Sequence, residues 1–112
     1  MFIGDKMIIY VDIDDTICTG GTKDDYNLAK PLLQNIDKIN KLHDEGNLVI
    51  YWTARGTATQ HDWFRDTFQQ LKRWGCRFTE LKMGKPSYDL FIDDKAIEAG
   101  VFFNEDNSHY SI

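Results

Sequence analysis

Cysteine is scarce in this chain of 112 residues: Cys18 and Cys76 stand far apart with no C-x-x-C spacing. Two are too few for a disulfide scaffold or a tetrahedral zinc site, so both read as reduced thiols. No apolar run approaches the ~20 residues of a membrane span. The opening residues carry Gly4 and Asp5 where a secretory signal would be apolar. No membrane partner is expected, and the cytoplasm is the expected compartment. Positive charge is also short, 13 Lys and Arg against 18 Asp and Glu for a net charge of -5. That balance counts against an extended phosphate-binding surface and makes nucleic acid a poor candidate partner. With two prolines and no Gly/Ser-rich linker, repeat or low-complexity stretch, nothing divides the chain.

What is present suffices for one packed domain. Hydrophobic residues make up 42% and aromatics 13% of the chain, and a domain of this size buries about two-thirds of its unfolded surface. Residues 1–112 therefore read as a single domain. Met7-Ile8-Ile9-Tyr10-Val11 is a continuous apolar run of the kind found in a parallel strand, and Leu48-Val49-Ile50-Tyr51-Trp52 is a second. Between them Leu32, Ile36, Ile39 and Leu42 recur at helical spacing, with Pro31 suited to the first turn and Gly46 to the left-handed position after the last. A second helix is predicted at about 59–74, with Thr59 and Asp62 resembling a capping box, Phe64, Phe68 and Leu71 on one stripe, and Gly75 as its stop. Shorter strands are predicted around 77–81, 89–92 and 101–103, with a helical turn near 95–98. This alternation implies an α/β fold, a three-layer sandwich with a mostly parallel central sheet and helices on both faces. The irregular segment 15–30, with Gly20-Gly21, reads as a functional loop.

Charged residues gather just past the carboxyl ends of the predicted strands, where open α/β sheets bind ligands. Asp12, Asp14 and Asp15 end the first strand, Thr53 and Arg55 the second; Lys82 and Lys85 follow the third, and Asp93 and Asp94 end the fourth. Alternate residues of a strand share a face, so Asp12 and Asp14 can point into one site. Adding Asp93 without a cation would be electrostatically costly. Several ionised carboxylates form a hard oxygen-ligand set suited to Mg²⁺, and a lysine and a threonine hydroxyl supply donors for a phosphoryl oxygen. A carboxylate nucleophile, magnesium and lysine together describe phosphoryl transfer.

In this pattern the sequence resembles the haloacid dehalogenase (HAD) superfamily of phosphotransferases over essentially its whole length. Val-Asp-Ile-Asp-Asp-Thr at 11–16 is similar to the first motif of that superfamily and Leu-Val-Ile-Tyr-Trp-Thr at 48–53 to the second. Lys85 in Gly-Lys-Pro resembles the third and Leu-Phe-Ile-Asp-Asp at 90–94 the fourth. The resemblance implies a Rossmann-like hydrolase core with Asp12 as the nucleophile that becomes an aspartyl-phosphate. It makes Asp14 the acid that protonates the leaving oxygen and then the base for water. Thr53 would bind a phosphoryl oxygen, and Lys85 would neutralise the phosphate and position Asp12. Asp93, the Asp12 carboxylate and the Asp14 carbonyl would hold Mg²⁺, with Asp94 either a water-mediated ligand or an orienting group. Lys82 is the rival of Lys85.

The stretches 51–56 and 84–95 resemble a subgroup associated with capsule biosynthesis, which implies a small sugar- or polyol-phosphate of surface polysaccharide synthesis as substrate. Arg55 would then clamp phosphate or a second anionic group. Members of the superfamily usually carry an inserted cap domain, yet 15–30 has room only for a turn and a short flap. An uncapped site either admits a bulky phosphorylated substrate or is closed by a neighbouring subunit, which makes a homo-oligomer a candidate.

Other readings compete. A phosphatase acting on nucleic-acid ends or phosphoprotein disagrees with the acidic balance in its first form. A receiver-like module shares the residue types but keeps its phosphorylated aspartate on a middle strand. A phosphate-binding HAD module without turnover is set against the full set of expected groups. Asp15 reads as loop support and Thr16 as stabilising the turn after Asp12. His43, His61 and His109 form no metal spacing. Trp63, Phe64, Trp74, Phe91, Phe102 and Phe103 read as core, and Tyr26 as the aromatic to consider for substrate contact.

Overall fold

A computed structural model describes residues 6–104; His109 and the reading of 1–5 as no signal sequence lie outside the described residues. The β-branched and aromatic run at the start forms β1 (Ile8–Val11), and its counterpart forms β4 (Leu48–Trp52). They pair in parallel, Ile8 opposite Leu48 and Val11 opposite Tyr51. Between them lie β2 (Cys18–Thr19), a 3₁₀ turn (Tyr26–Leu28), β3 (Lys30–Pro31) and α1 (Leu33–Asp44). After β4 come α2 (Phe64–Arg73), β5 (Glu80–Lys82) and α3 (Ala99–Asn104). The main sheet has the order β1-β4-β5 and is parallel throughout, while β2 and β3 form a small antiparallel flap. The α/β class and the parallel Rossmann-like sheet expected from the sequence are what the chain adopts. The insertion between β1 and α1 holds only the flap and the 3₁₀ turn. Among the described residues no helix is long and apolar enough to cross a membrane.

One sheet face carries the core. Val11, Val49, Tyr51 and Leu81 alternate onto it and pack with Ile36, Ile39 and Leu42 of α1 and Leu71 of α2. The other face carries Ile8, Tyr10 and Leu48, all exposed, beside a buried Ile50. Leu71 is 0% exposed, so Leu71→Ala removes a fully packed side chain and is expected to cost about 3 kcal/mol in a urea titration.

Several element boundaries differ from the sequence reading. Pro31 pairs with Cys18 in the flap rather than opening the helix, while Gly46, at φ 102, does stop α1. The second helix starts at Phe64, not near Thr59. Residues 56–60 form a tight turn with Gln60 at φ 60, and a Cβ on Gly56 would meet the His61 carbonyl oxygen at 2.1 Å. Asp62 Oδ1 then accepts the Phe64 N–H at 3.0 Å. β5 begins three residues later than residue 77, because the Arg77 N–H goes to Asn40 Oδ1 and its guanidinium to Asp44.

The larger departures lie near the C-terminal end. Residues 89–92 form no strand, residues 95–98 form no helical turn, and 101–103 are helical within α3. Phe102 and Phe103 pack side by side against the core near Lys38, which a strand's alternation would prevent. Phe91, expected in the core, is exposed.

Candidate active site

Asp12 is the first residue past β1. The Thr16 and Ile17 N–H groups both bond to the Ile13 carbonyl, and Asp15 takes a left-handed φ of 61 while its N–H bonds to the Cys18 carbonyl. This turn carries Thr16 back, so that its Oγ1 donates to Asp12 Oδ2 at 3.1 Å. Lys85 approaches from the other side, its Nζ 3.0 Å from Asp12 Oδ1. Its backbone is held twice: the N–H bonds to the Thr53 carbonyl at 3.1 Å, and the carbonyl accepts from Thr57 Oγ1 at 2.8 Å. Burial works to lower the Lys85 pKa, but the Asp12 carboxylate, with Tyr88 adding, outweighs it and holds it above the ordinary lysine value. Lys82 instead donates to the Tyr10 hydroxyl at 3.1 Å. Asp12, Ala54, Lys85, Pro86, Ser87 and Tyr88 surround an open cavity of about 260 Å³.

Thr53 is buried, and its Oγ1 accepts the Arg55 N–H at 3.1 Å, which leaves the hydroxyl proton free to donate. Asp14 faces a different direction. Arg55 grips it in a bidentate pair, Nε to Oδ2 and Nη2 to Oδ1, each at 2.9 Å. Arg55 Nη1 donates to Thr67 Oγ1 and to Gln70 Oε1, and Nη2 also reaches Cys18 Sγ. With five N–H groups on a guanidinium, every donor is committed. Arg55 is 3% exposed; it is a buried anchor for Asp14, not the phosphate clamp expected from the sequence. Tyr26 lies over the guanidinium at 4.6 Å and edge-on to Trp63, and its carbonyl accepts from Gln70 Nε2. Tyr26 thus roofs Arg55.

Thr57, Thr67 and Gln70 belong to this architecture and were not singled out by sequence, and Cys18, read only as a reduced thiol, belongs to it as well. The available signal was Thr67 and Gln70, polar residues at i and i+3 beside Leu71. Burial pushes the Cys18 thiol up to about 12, with Asp14 adding and Arg55 opposing, and burial pushes Cys76 up to about 11. Both buried thiols are expected to resist labelling by a thiol reagent at pH 8 until the protein is unfolded.

His61 packs edge-on to Trp63, ring centres 4.7 Å apart, and lines a second cavity of about 170 Å³ with Arg55, Thr57, Gln60 and Asp62. His43 Nδ1 lies 3.9 Å from Asp44.

Asp93 and Asp94 do not join this site. Both are exposed, and Asp93 Oδ2 accepts the Lys95 N–H at 3.2 Å. Among the described residues no group of three His, Cys, Asp or Glu side chains is placed to hold a metal ion. The Asp12 oxygens face Lys85 and Thr16, and those of Asp14 face Arg55. The expected Mg²⁺ ligands Asp12, Asp14, Asp93 and Asp94 are therefore not assembled within one chain, and the residues present do not fit the ion.

A crystal structure of a protein from Vibrio cholerae matches this fold with a TM-score of 0.81 and 23% sequence identity, over 92% of this chain and 92% of that one. No protein-family model and no curated protein matches the chain.

Proposed function

We propose that this chain is a phosphatase of the HAD type, hydrolysing a small phosphate monoester through a phosphoryl group carried on Asp12. The observation that supports it best is the contact between Lys85 Nζ and Asp12 Oδ1, which joins residues 73 apart in sequence at the mouth of an open cavity. Lys85 and Thr16 fix both oxygens of the Asp12 carboxylate while each oxygen keeps a free lone pair.

In the first step one Asp12 oxygen attacks phosphorus, and the bond from phosphorus to the ester oxygen breaks. Both Asp14 oxygens accept from Arg55, so the departing oxygen takes its proton from water in the open cavity rather than from Asp14. A second water then attacks phosphorus, the bond from phosphorus to the Asp12 oxygen breaks, the water's proton passes to solvent, and inorganic phosphate leaves with the Asp12 carboxylate restored. Lys85 and the Thr53 hydroxyl balance the charge spread over the phosphoryl oxygens. Arg55 holds the Asp14 carboxylate, and with it the turn that follows Asp12, in one orientation. The substrate class that accords with an acidic chain and a small open cavity is a sugar- or polyol-phosphate, as in surface polysaccharide synthesis.

The test is phosphate release with and without Mg²⁺ across sugar, polyol, amino-alcohol and nucleotide monoesters and 3′-phosphorylated oligonucleotides. Release concentrated on one small ester is expected; none from any compound by folded protein would contradict the proposal. Lys85→Ala is expected to lower release about 10²- to 10³-fold, whereas Lys82→Ala, whose ammonium faces Tyr10, leaves it within about twofold.

A further inference from the structure

Two side-chain polar atoms among the described residues are buried without a hydrogen-bond partner, the Tyr51 hydroxyl and Trp63 Nε1. Native structures rarely leave a buried donor unpaired, because its water is lost and nothing replaces it. Tyr51 lies in the core beside Cys76. Trp63, only 7% exposed, lines the cavity of about 170 Å³. A Cβ on Gly56, another lining residue, would stand 3.4 Å from Trp63 Cδ1. The indole therefore turns the edge that carries Nε1 toward that wall.

The lining around this edge is mixed. Asp62 Oδ1 accepts the Phe64 N–H, which leaves Oδ2 open, and Gln60 is exposed. Met83 and the indole supply apolar contact. An anionic ligand would meet Asp62 and find every Arg55 donor already committed to Asp14, Thr67, Gln70 and Cys18. The lining suits a neutral group that accepts from Trp63, donates to Asp62, and both gives and takes with the Gln60 amide. Neighbouring hydroxyls on a carbon chain do all three. The turn that presents these groups is itself strained, with Gln60 at φ 60 and its N–H held by the Gly56 carbonyl at 2.7 Å.

This cavity adjoins that of Asp12. Ala54 lines one and Arg55 the other; Lys85 lines one and Gly84 the other. The partition is thus one residue thick, about 4 Å. Thr57 lines the second cavity while its Oγ1 holds the Lys85 carbonyl at 2.8 Å.

We propose that the second cavity is a binding site for a neutral polyhydroxylated carbon chain, with Trp63 Nε1, Asp62 and Gln60 as its hydrogen-bonding groups. The exposed His61 ring, edge-on to the indole, turns aside to admit a hydroxyl oxygen to Nε1. For the reaction at Asp12 this is where the alcohol part of the monoester lies. Sugar- and polyol-phosphates are then selected over esters too short to cross the partition and over those bearing a second phosphate. That consequence rests on the phosphatase reading; the binding site itself does not.

Titration of ¹⁵N-labelled protein with glycerol, xylitol and glucose tests the site through the indole N–H signals of Trp52, Trp63 and Trp74. A saturable downfield shift of the Trp63 signal is expected, with inorganic phosphate leaving it in place. Its loss in Trp63→Phe assigns that signal; if this variant does not fold, Trp52→Phe and Trp74→Phe assign it by elimination. No shift with any of the three compounds overturns the proposal, as does a drift of all three signals together or a Trp63 shift driven by inorganic phosphate alone. Activity separates the two claims. Trp63→Phe is expected to lower kcat/KM for the most rapidly cleaved sugar- or polyol-phosphate about tenfold more than for methyl phosphate, through KM; an equal fall for both contradicts the role in selection. A saturable Trp63 shift in protein that hydrolyses no monoester leaves the binding site standing and removes the phosphatase reading. Hydrolysis without the shift does the reverse.

Discussion

Asp12→Asn is expected to abolish phosphate release, by about 10³-fold or more, while leaving the midpoint of urea unfolding close to that of the wild type. The amide is nearly isosteric: its oxygen still accepts from Lys85 and its NH2 can donate to the Thr16 hydroxyl, so the contacts at 3.0 and 3.1 Å both have a replacement. It is not an anionic nucleophile, and no phosphoryl ester forms on it. The Asp12 side chain is 37% exposed, so the altered charge stays in contact with water and the cost to folding is small. A variant that loses activity because it unfolds would separate from this outcome at once in the urea titration. A folded variant with near-normal turnover would remove Asp12 from the mechanism.

The second large effect concerns folding. Arg55 and Asp14 form one pair with very different access to solvent: their side chains are 1% and 31% exposed. Asp14→Ala strands a guanidinium that cannot reach water and leaves its Nε and Nη2 donors without their main acceptor. A buried charge left without its partner costs about 3 kcal/mol or more, which for a domain of this size lowers Tm by about 10 °C or more. Arg55→Met removes the buried charge and fills much of its volume, and the Asp14 carboxylate it leaves behind can hydrate. The expected order in urea denaturation is therefore wild type, then Arg55→Met, then Asp14→Ala. The reverse order would mean that Asp14, not Arg55, is the residue that pays for burial. Arg55→Lys keeps the charge but loses the fork that grips both Asp14 oxygens.

The strands that build the sheet were legible because β1 and β4 are continuous apolar runs with a helix-spaced segment and Gly46 between them. The convergence of Asp12, Thr53 and Lys85 followed from a general property of parallel sheets, whose strands all end on one side. Residues 90–92 misled because local pattern reports what a segment can pair with, not whether it does: Leu90 and Ile92 are exposed, and among the described residues no backbone-to-backbone hydrogen bond joins the segment to the sheet. Residues 101–103 offered three apolar residues, which suit a strand or a buried helical turn equally. Arg55 misled for a related reason. Its place in a loop after a strand suggested a solvent-facing cation, and only the packing of Thr67, Gln70 and Tyr26 around it reveals that its donors are all used internally.

The most direct measurement is of the covalent intermediate. The protein would be incubated with an active monoester or a small acyl phosphate donor, quenched in acid, digested and examined by mass spectrometry. The account predicts a phosphoryl adduct on the peptide containing Asp12, labile to hydroxylamine and absent from Asp12→Asn. Steady phosphate release with an adduct on another residue, or with none at any quench time and undiminished turnover by Asp12→Asn, would contradict it.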